Sequence, residues 1–190
     1  MKELNLRLSR RGPDHHGVLR LDYQPEHPIE LDSTGPFPPE EQPFLEMHGH
    51  LLSMRGFLPQ PVVRRLSTPS GDSWIDQAIV WNGESFKAPF IPHIECLGTE
   101  PESSIGDKSD TEMVLDLLQG SAVIDALNQV EGPWAIAFYR RSDDSIYFGR
   151  DPRGRRSLML GYCADSKNVI ISSIPWRMEG IHLDWIEVDT

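Results

Sequence analysis

The most strongly patterned stretch of the chain is Trp134-Ala135-Ile136-Ala137-Phe138-Tyr139, which is followed closely by Ser145-Ile146-Tyr147-Phe148-Gly149. Both runs are rich in aromatic and β-branched residues that favour strands, and the polar segment 141–144 between them is typical of a turn. Residues 157–163 and 168–173 repeat this arrangement around a second polar turn. The pattern predicts an antiparallel meander of four strands.

Two shorter apolar runs earlier in the chain, 49–54 and 77–81, also predict strands. The second run leads into Asn82-Gly83, and an Asn-Gly pair is the strongest short-range signal of a two-residue hairpin turn. The chain is therefore expected to reverse direction at Asn82.

Helical signals are fewer and lie between these strands. Ser109 and Glu112 have the spacing of a capping box, and apolar residues then recur at helical spacing until Gly120. A second amphipathic segment follows over 122–130, and an arginine-bearing helix is expected before Arg11-Gly12-Pro13-Asp14. Antiparallel strands with helices collected elsewhere indicate an α+β domain.

Length and composition limit the class of protein. The chain has 190 residues, which suits one domain over 1–190, and its 18 Lys and Arg against 29 Asp and Glu give a net charge of -11. That charge argues against nucleic-acid and anionic membrane partners. The two cysteines, Cys96 and Cys163, form no C-x-x-C pair, and no apolar run approaches the length that spans a bilayer. We expect a soluble cytoplasmic protein.

Two segments are expected to be irregular. Six of the 16 prolines fall within 24–43, together with five acidic residues and no Lys or Arg. Proline removes backbone donors, so this stretch is predicted to be an acidic, mobile surface loop. A second irregular loop, also rich in Pro and Glu, is predicted over 87–107.

Several polar residues could carry chemistry, although each also has a purely structural interpretation. Arg55 follows an apolar run, and its planar guanidinium suits a carboxylate ligand. Asn82 and Gly83 make a turn, but they also offer a side-chain amide and a backbone N–H at one point, as an oxyanion hole does. Asp110 lies at the predicted start of a helix, where the helix dipole alone would stabilise it.

Two further clusters favour structural roles. The arginines between Gly149 and Arg156 form the only basic cluster, but no aromatic residues alternate with them, so pairing with carboxylates is favoured over RNA binding. His48 and His50 project to one face of a predicted strand, as two metal ligands would, but no third ligand is evident nearby. We therefore predict no metal site.

Six motifs, taken in order, resemble the glutamine-hydrolysing (class II amidotransferase) half of asparagine synthetases, and most of all the asparagine synthetase domain-containing proteins. Any one of them is weak, but together they span nearly the whole chain. They are Arg11-Gly12-Pro13-Asp14, Leu52-Ser53-Met54-Arg55-Gly56, Trp81-Asn82-Gly83-Glu84-Ser85-Phe86, Ser109-Asp110-Thr111-Glu112, Glu131-Gly132-Pro133-Trp134, and Phe148-Gly149-Arg150-Asp151 with Gly154-Arg155-Arg156-Ser157-Leu158.

The resemblance implies an Ntn-hydrolase fold, with two stacked antiparallel β-sheets between α-helical layers, that binds free glutamine. It implies that Arg55 binds the α-carboxylate of glutamine and that Glu84 and Asp110 bind its α-ammonium. The side-chain amide of Asn82 and the N–H of Gly83 would form the oxyanion hole. Opposite charges then face the two charged groups of the amino acid, and neutral donors face the amide that gains charge.

The chain departs from this family at its first residues. Family members attack the amide with an N-terminal cysteine whose own amine acts as the base, whereas here Met1 is followed by Lys2. The first strand and the ATP-using synthetase domain of the family are not matched either. These differences predict a partial glutamine pocket without hydrolytic competence and without a cofactor, since ATP and Mg belong to the synthetase domain.

Other interpretations stay open. The chain could be a non-catalytic module that senses glutamine or docks a synthetase domain, or its sequence could begin at an internal methionine. A missing strand would expose a sheet edge, which favours a homo-oligomer or aggregation. By resemblance alone, the parent protein would make asparagine from aspartate with ammonia from glutamine.

Overall fold

A computed structural model describes residues 2–21, 45–51, 58–86, 109–120, 122–164, 167–177 and 182–190. The loops predicted over 24–43 and 87–107 lie outside these residues, as do Arg55 and Cys96. In the described part of the chain, no helix has the length and hydropathy needed to cross a membrane.

The described residues form antiparallel sheets and short helices, which confirms the predicted α+β class. The strands pair as β1-β2, as β3-β4-β5-β6, and as β8-β7-β9. The elements are α1 (Lys2–Ser9), β1 (His15–Leu21), β2 (Leu45–Leu51), β3 (Val62–Ser67), β4 (Ser73–Gly83), α2 (Asp110–Leu117), α3 (Val123–Leu127), β5 (Trp134–Arg140), β6 (Ser145–Arg150), β7 (Met159–Cys163), β8 (Asn168–Ser172) and β9 (Leu183–Glu187).

The prediction of one four-stranded meander is wrong, although all four of its strands exist. β5 and β6 pair within the four-stranded sheet, whereas β7 and β8 pair in the separate three-stranded sheet. The connection between β6 and β7 folds around the buried side chain of Asp151, and Pro152 has no N–H for a strand ladder. The chain therefore leaves the first sheet at this connection instead of turning back along β6.

The predicted chain reversal at Asn82 is also wrong. β4 runs straight through Asn82 and Gly83, which pair with Ala135 and Trp134 of β5. Beyond the strand, the N–H of Glu84 donates to the carbonyl of Pro133 at 3.0 Å. Pairing with β5 supplies partners for an extended backbone, so a long-range ladder overrides the local turn preference of Asn-Gly.

The four-stranded sheet buries both of its faces. Ile79 and Trp81 of β4 pack with residues of α2 and α3, including Val114 of α2 and Ala126 of α3. Ile75 and Ala78 pack instead with Leu19, Leu21 and Met47 of β1 and β2. The register of β4 against β3 shifts by one residue between the two halves of the strand, and this bulge puts Ile75 and Ala78 on the same face. The helices and the β1-β2 pair therefore lie on opposite sides of β4.

Candidate active site

The end of β4 and the start of α2 meet at one place, and most of the predicted site residues lie there. The backbone N–H of Ser85 donates to the carboxylate of Asp110 at 2.9 Å. Asn82, Gly83 and Glu84 immediately precede Ser85 and, like Asp110, are half-buried. This hydrogen bond places the segment that bears Asn82, Gly83 and Glu84 beside the start of α2, although Ser85 and Asp110 are 25 positions apart in the sequence.

A complete capping box fixes the start of α2. The Ser109 hydroxyl accepts from the N–H of Glu112, and the Glu112 carboxylate accepts from the N–H of Ser109. This is the capping box that the sequence predicts, and it orients Asp110 as the first residue of the helix. Since a carboxylate in the first turn is stabilised by the helix dipole, the Asp110 charge is tolerated there while it also accepts from Ser85.

Two glycines allow the backbone to pass closely at the end of β4. A Cβ at Gly83 would lie 2.5 Å from the Pro133 carbonyl oxygen. Gly132 has a φ of +148°, and a Cβ there would lie 1.9 Å from the carbonyl oxygen of Glu84. Only glycine fits at Gly132, because both the backbone angle and the contact exclude a side chain. The backbone of Gly83 and Glu84 is thus held against residues 132–134.

Asp151 is a fully buried carboxylate that organises the segment after β6. One oxygen accepts from the N–H groups of Trp134 and Arg155, and the other accepts from the N–H of Arg153 and the guanidinium of Arg155. Burial alone would raise the pKa of Asp151, but these hydrogen bonds outweigh it and the pKa is lowered. Asp151 therefore holds the first residue of β5, which pairs with Gly83.

Aromatic side chains belong to the residues that flank Asn82 and Gly83 in the sequence and in the sheet. The rings of Trp81 and Trp134 stack with centroids 5.8 Å apart, and both are buried. Phe86 is exposed, and the guanidinium of Arg155 lies over its ring at 5.9 Å. The end of β4 is thus anchored in the core by its tryptophan, while the residues that follow are partly exposed.

Gln60 is a further residue at this site, and sequence reasoning missed it. Its side chain is buried, donates to the Trp81 carbonyl at 3.0 Å and to the Thr111 hydroxyl at 3.3 Å, and accepts from the Trp81 N–H at 2.9 Å. A lone glutamine before a proline carries no motif, and its two partners are distant in sequence, so no local pattern could have identified it.

The basic cluster pairs internally, as the sequence analysis favours. Arg150 forms an ion pair with Glu187, and Arg155 with Asp151. Two arginines of the cluster therefore have carboxylate partners within the domain.

The histidines of the β1-β2 pair form a cluster on these two strands. His48 hydrogen-bonds to His16 at 3.1 Å and to Glu46, and the ring of His50 stacks on His16 at 4.2 Å. The hydrogen bond from His48, with a further contribution from Arg20, lowers the pKa of Glu46 to about 2 although burial opposes the shift. Among the residues that the structure describes, no group of His, Cys, Asp or Glu side chains is arranged to hold a metal ion.

Residues 76–178 match the family model of the glutamine amidotransferase domain. This stretch covers more than half of the chain and includes Asn82, Gly83, Glu84, Asp110 and Asp151, so the chain belongs to the glutamine amidotransferase domain family. The family predicted from the motifs is thereby confirmed.

The curated relatives are asparagine synthetase domain-containing proteins. The chain is 30% identical over 145 residues to asparagine synthetase domain-containing protein 1 of Bos taurus. The aligned residues make up 74% of this chain and 19% of the relative. The protein of the same name from Gallus gallus is 29% identical over 163 residues, 83% of this chain and 20% of the relative. An asparagine synthetase domain-containing protein of Saccharomyces cerevisiae is 36% identical over 74 residues, 37% of this chain and 14% of the relative. The chain spans about a fifth of the length of the two vertebrate relatives.

Proposed function

We propose that this chain is the glutamine-binding domain of an asparagine synthetase-like protein and that it binds glutamine where β4 meets α2. The observation that carries the proposal is the hydrogen bond from the Ser85 N–H to Asp110, because it joins the two segments that bear the proposed binding residues. The Ntn-hydrolase arrangement, with helical layers on both sides of two stacked sheets, belongs to the same proposal.

The proposed roles follow the charges of glutamine. Glu84 and Asp110 accept hydrogen bonds from the α-ammonium, as paired carboxylates can. The Asn82 side-chain amide and the Gly83 N–H stabilise the negative charge that develops on the amide oxygen. Arg55, which lies outside the described residues, is the proposed partner of the α-carboxylate.

The reaction of the parent protein is proposed to be hydrolysis of the glutamine amide, which consumes water and yields glutamate and ammonia. The ammonia would then serve the synthesis of asparagine in the cytoplasm, with ATP and Mg used by a separate synthetase domain. Cys163 is the only cysteine in the described part of the chain, and it is buried in β7, so we assign it no catalytic role.

Calorimetric titration of the 190-residue chain with L-glutamine tests the binding proposal. We expect wild type to bind, and we expect Asp110→Asn to weaken binding by about tenfold or more, because a hydrogen bond to a charged group is lost. Asp125→Asn is the matched control, since Asp125 also lies in the first turn of a helix but is exposed and carries no proposed binding role. A folded wild-type chain that gives no heat with millimolar glutamine would refute the proposal.

A substrate analogue isolates the role of Asp110. The compound that lacks only the α-amino group, 4-carbamoylbutanoate, cannot form the proposed contact. We therefore expect it to bind wild type and Asp110→Asn equally, although more weakly than glutamine. A selective loss of this analogue in Asp110→Asn would show that the aspartate acts on another part of the ligand.

A second candidate is a module that binds glutamine without hydrolysing it. The burial of Cys163 favours this candidate for the 190-residue chain, because no exposed thiol is present among the described residues. We expect no glutamate release from glutamine by this chain. Turnover that disappears in Cys163→Ala or Cys96→Ala would contradict the expectation.

A further inference from the structure

Gln60 connects the two elements that carry the proposed binding residues. Its amide nitrogen donates both to the Trp81 carbonyl of β4 and to the Thr111 hydroxyl of α2. Trp81 directly precedes Asn82, and Thr111 directly follows Asp110. One buried side chain is therefore bonded next to the proposed oxyanion hole and next to the proposed ammonium site.

The position of Gln60 is itself fixed from the other side of β4. A Cβ at Gly17 would lie 2.1 Å from the carbonyl oxygen of Gln60, and a Cβ at Gly49 would lie 2.5 Å from it. The backbone of Gln60 thus rests directly on β1 and β2 at residues without side chains. Its amide oxygen also accepts from the Trp81 N–H at 2.9 Å, so the side chain has no freedom to rotate away from β4 without breaking hydrogen bonds.

A fixed separation between these two points would select ligands by length. Glutamine and asparagine have the same α-ammonium, α-carboxylate and amide groups, and they differ by one methylene, a C–C bond of about 1.5 Å. A site can distinguish them only if the groups that bind the ammonium and the amide are held at a constant distance. One methylene can be worth about tenfold or more in discrimination.

We propose that Gln60 is a positioning residue that sets the distance between α2 and the end of β4 and thereby selects glutamine over asparagine. This inference rests on the proposed function, since it takes Asp110 and Asn82 as groups that bind the two ends of the ligand. The hydrogen bond to Thr111 is the part of the Gln60 connection that reaches the helix, and it acts together with the hydrogen bond from the Ser85 N–H to Asp110.

The test compares dissociation constants of glutamine and asparagine, measured by calorimetry at pH 7. Thr111→Val keeps the shape of the buried side chain and replaces its hydroxyl with a methyl group, whereas Thr111→Ser keeps the hydroxyl. We expect wild type to prefer glutamine by about tenfold or more. The preference should fall at least about threefold in Thr111→Val and should be retained in Thr111→Ser.

Each outcome decides a separate question. If Thr111→Val weakens both ligands in the same proportion, the hydrogen bond is only structural and the inference is overturned. A wild-type chain that binds both ligands equally also overturns the inference, but it leaves the proposed function intact. A wild-type chain that binds neither ligand overturns the proposed function and this inference together. Gln60→Met, which removes all three hydrogen bonds, should reduce the preference at least as much if the variant folds.

Discussion

Asp151→Asn should destabilise the domain strongly, and the structure sets the size of the effect. Both carboxylate oxygens of Asp151 accept two N–H donors each. In asparagine, one oxygen becomes an NH2 group, and in either orientation this group faces two donors. Two hydrogen bonds are therefore lost inside a fully buried site. At about 1–3 kcal/mol for each buried group left unsatisfied, the free energy of unfolding should fall by about 2–6 kcal/mol.

Urea unfolding at pH 7, followed by tryptophan fluorescence, measures this change. The matched control is Asp116→Asn, because Asp116 forms an exposed ion pair with Arg64 that should be worth only about 0–1 kcal/mol. The reasoning is refuted if Asp151→Asn costs no more than Asp116→Asn.

The same variant has a defined pH dependence. Because the pKa of Asp151 is lowered in the folded protein, its stabilising contribution is present above the unfolded value of about 4 and is lost as the pH falls through the folded pKa. The stability difference between wild type and Asp151→Asn should therefore be largest at neutral pH and should shrink in acid. A difference that stays constant below pH 4 would indicate that the carboxylate charge is not what the variant removes.

Three further variants test other parts of the fold. Gly132→Ala should lower the free energy of unfolding by about 2 kcal/mol or more, because its Cβ would overlap the Glu84 carbonyl oxygen at a positive φ. The control is Gly120→Ala, where a Cβ meets no atom within 4 Å. This variant should cost nothing measurable in the same urea titration. Burial and two neighbouring imidazoles lower the pKa of His50 to about 4, so the folded protein favours neutral His50 and loses stability as the pH falls from about 6.5 to 4. His50→Phe should remove about 1–3 kcal/mol of that acid-induced loss, and identical pH profiles for variant and wild type would contradict the assignment. Ser109→Ala should cost about 1 kcal/mol through loss of the helix cap, seen as a melting temperature lower by several degrees, and an unchanged melting temperature would show that the cap contributes nothing.

Local patterns predicted those elements whose signals lie within a few residues. The pattern predicts a strand from Trp134 to Tyr139, and the structure has β5 from Trp134 to Arg140. The capping box at Ser109 is complete in the structure. In both cases the favourable contacts are made by neighbours in sequence or by an apolar face that any core would bury.

The wrong predictions concern partners that no local pattern can specify. Asn82-Gly83 has the composition of a tight turn, but β5 provides a ladder for the extended chain, so the turn does not form. The strands after Asp151 have the right pattern for a meander, but a buried carboxylate redirects the chain into another sheet. In each case the deciding interaction joins residues that are distant in sequence.

The candidate site was predictable mainly through family resemblance. From the residues alone, the guanidinium of Arg55 suits a carboxylate, and Asn82 with Gly83 suits an oxyanion hole, whereas the roles of Glu84 and Asp110 come only from the resemblance. The proximity of α2 to the end of β4, shown by the hydrogen bond from Ser85 to Asp110, is a property of the folded chain, and the roles of the site residues stay a prediction. Gln60 escaped both kinds of reasoning, because its importance lies only in the three hydrogen bonds it makes once the domain is folded.

The contact between Ser85 and Asp110 joins positions 25 apart in the sequence. One hydrogen bond thus holds the two ends of the intervening segment close together. Closing a longer excursion costs little, since each doubling adds only about 0.6 kcal/mol of entropy. A change in the length of the connection between Ser85 and Asp110 should therefore leave this hydrogen bond in place, and with it the positions of the two segments that bear the proposed binding residues.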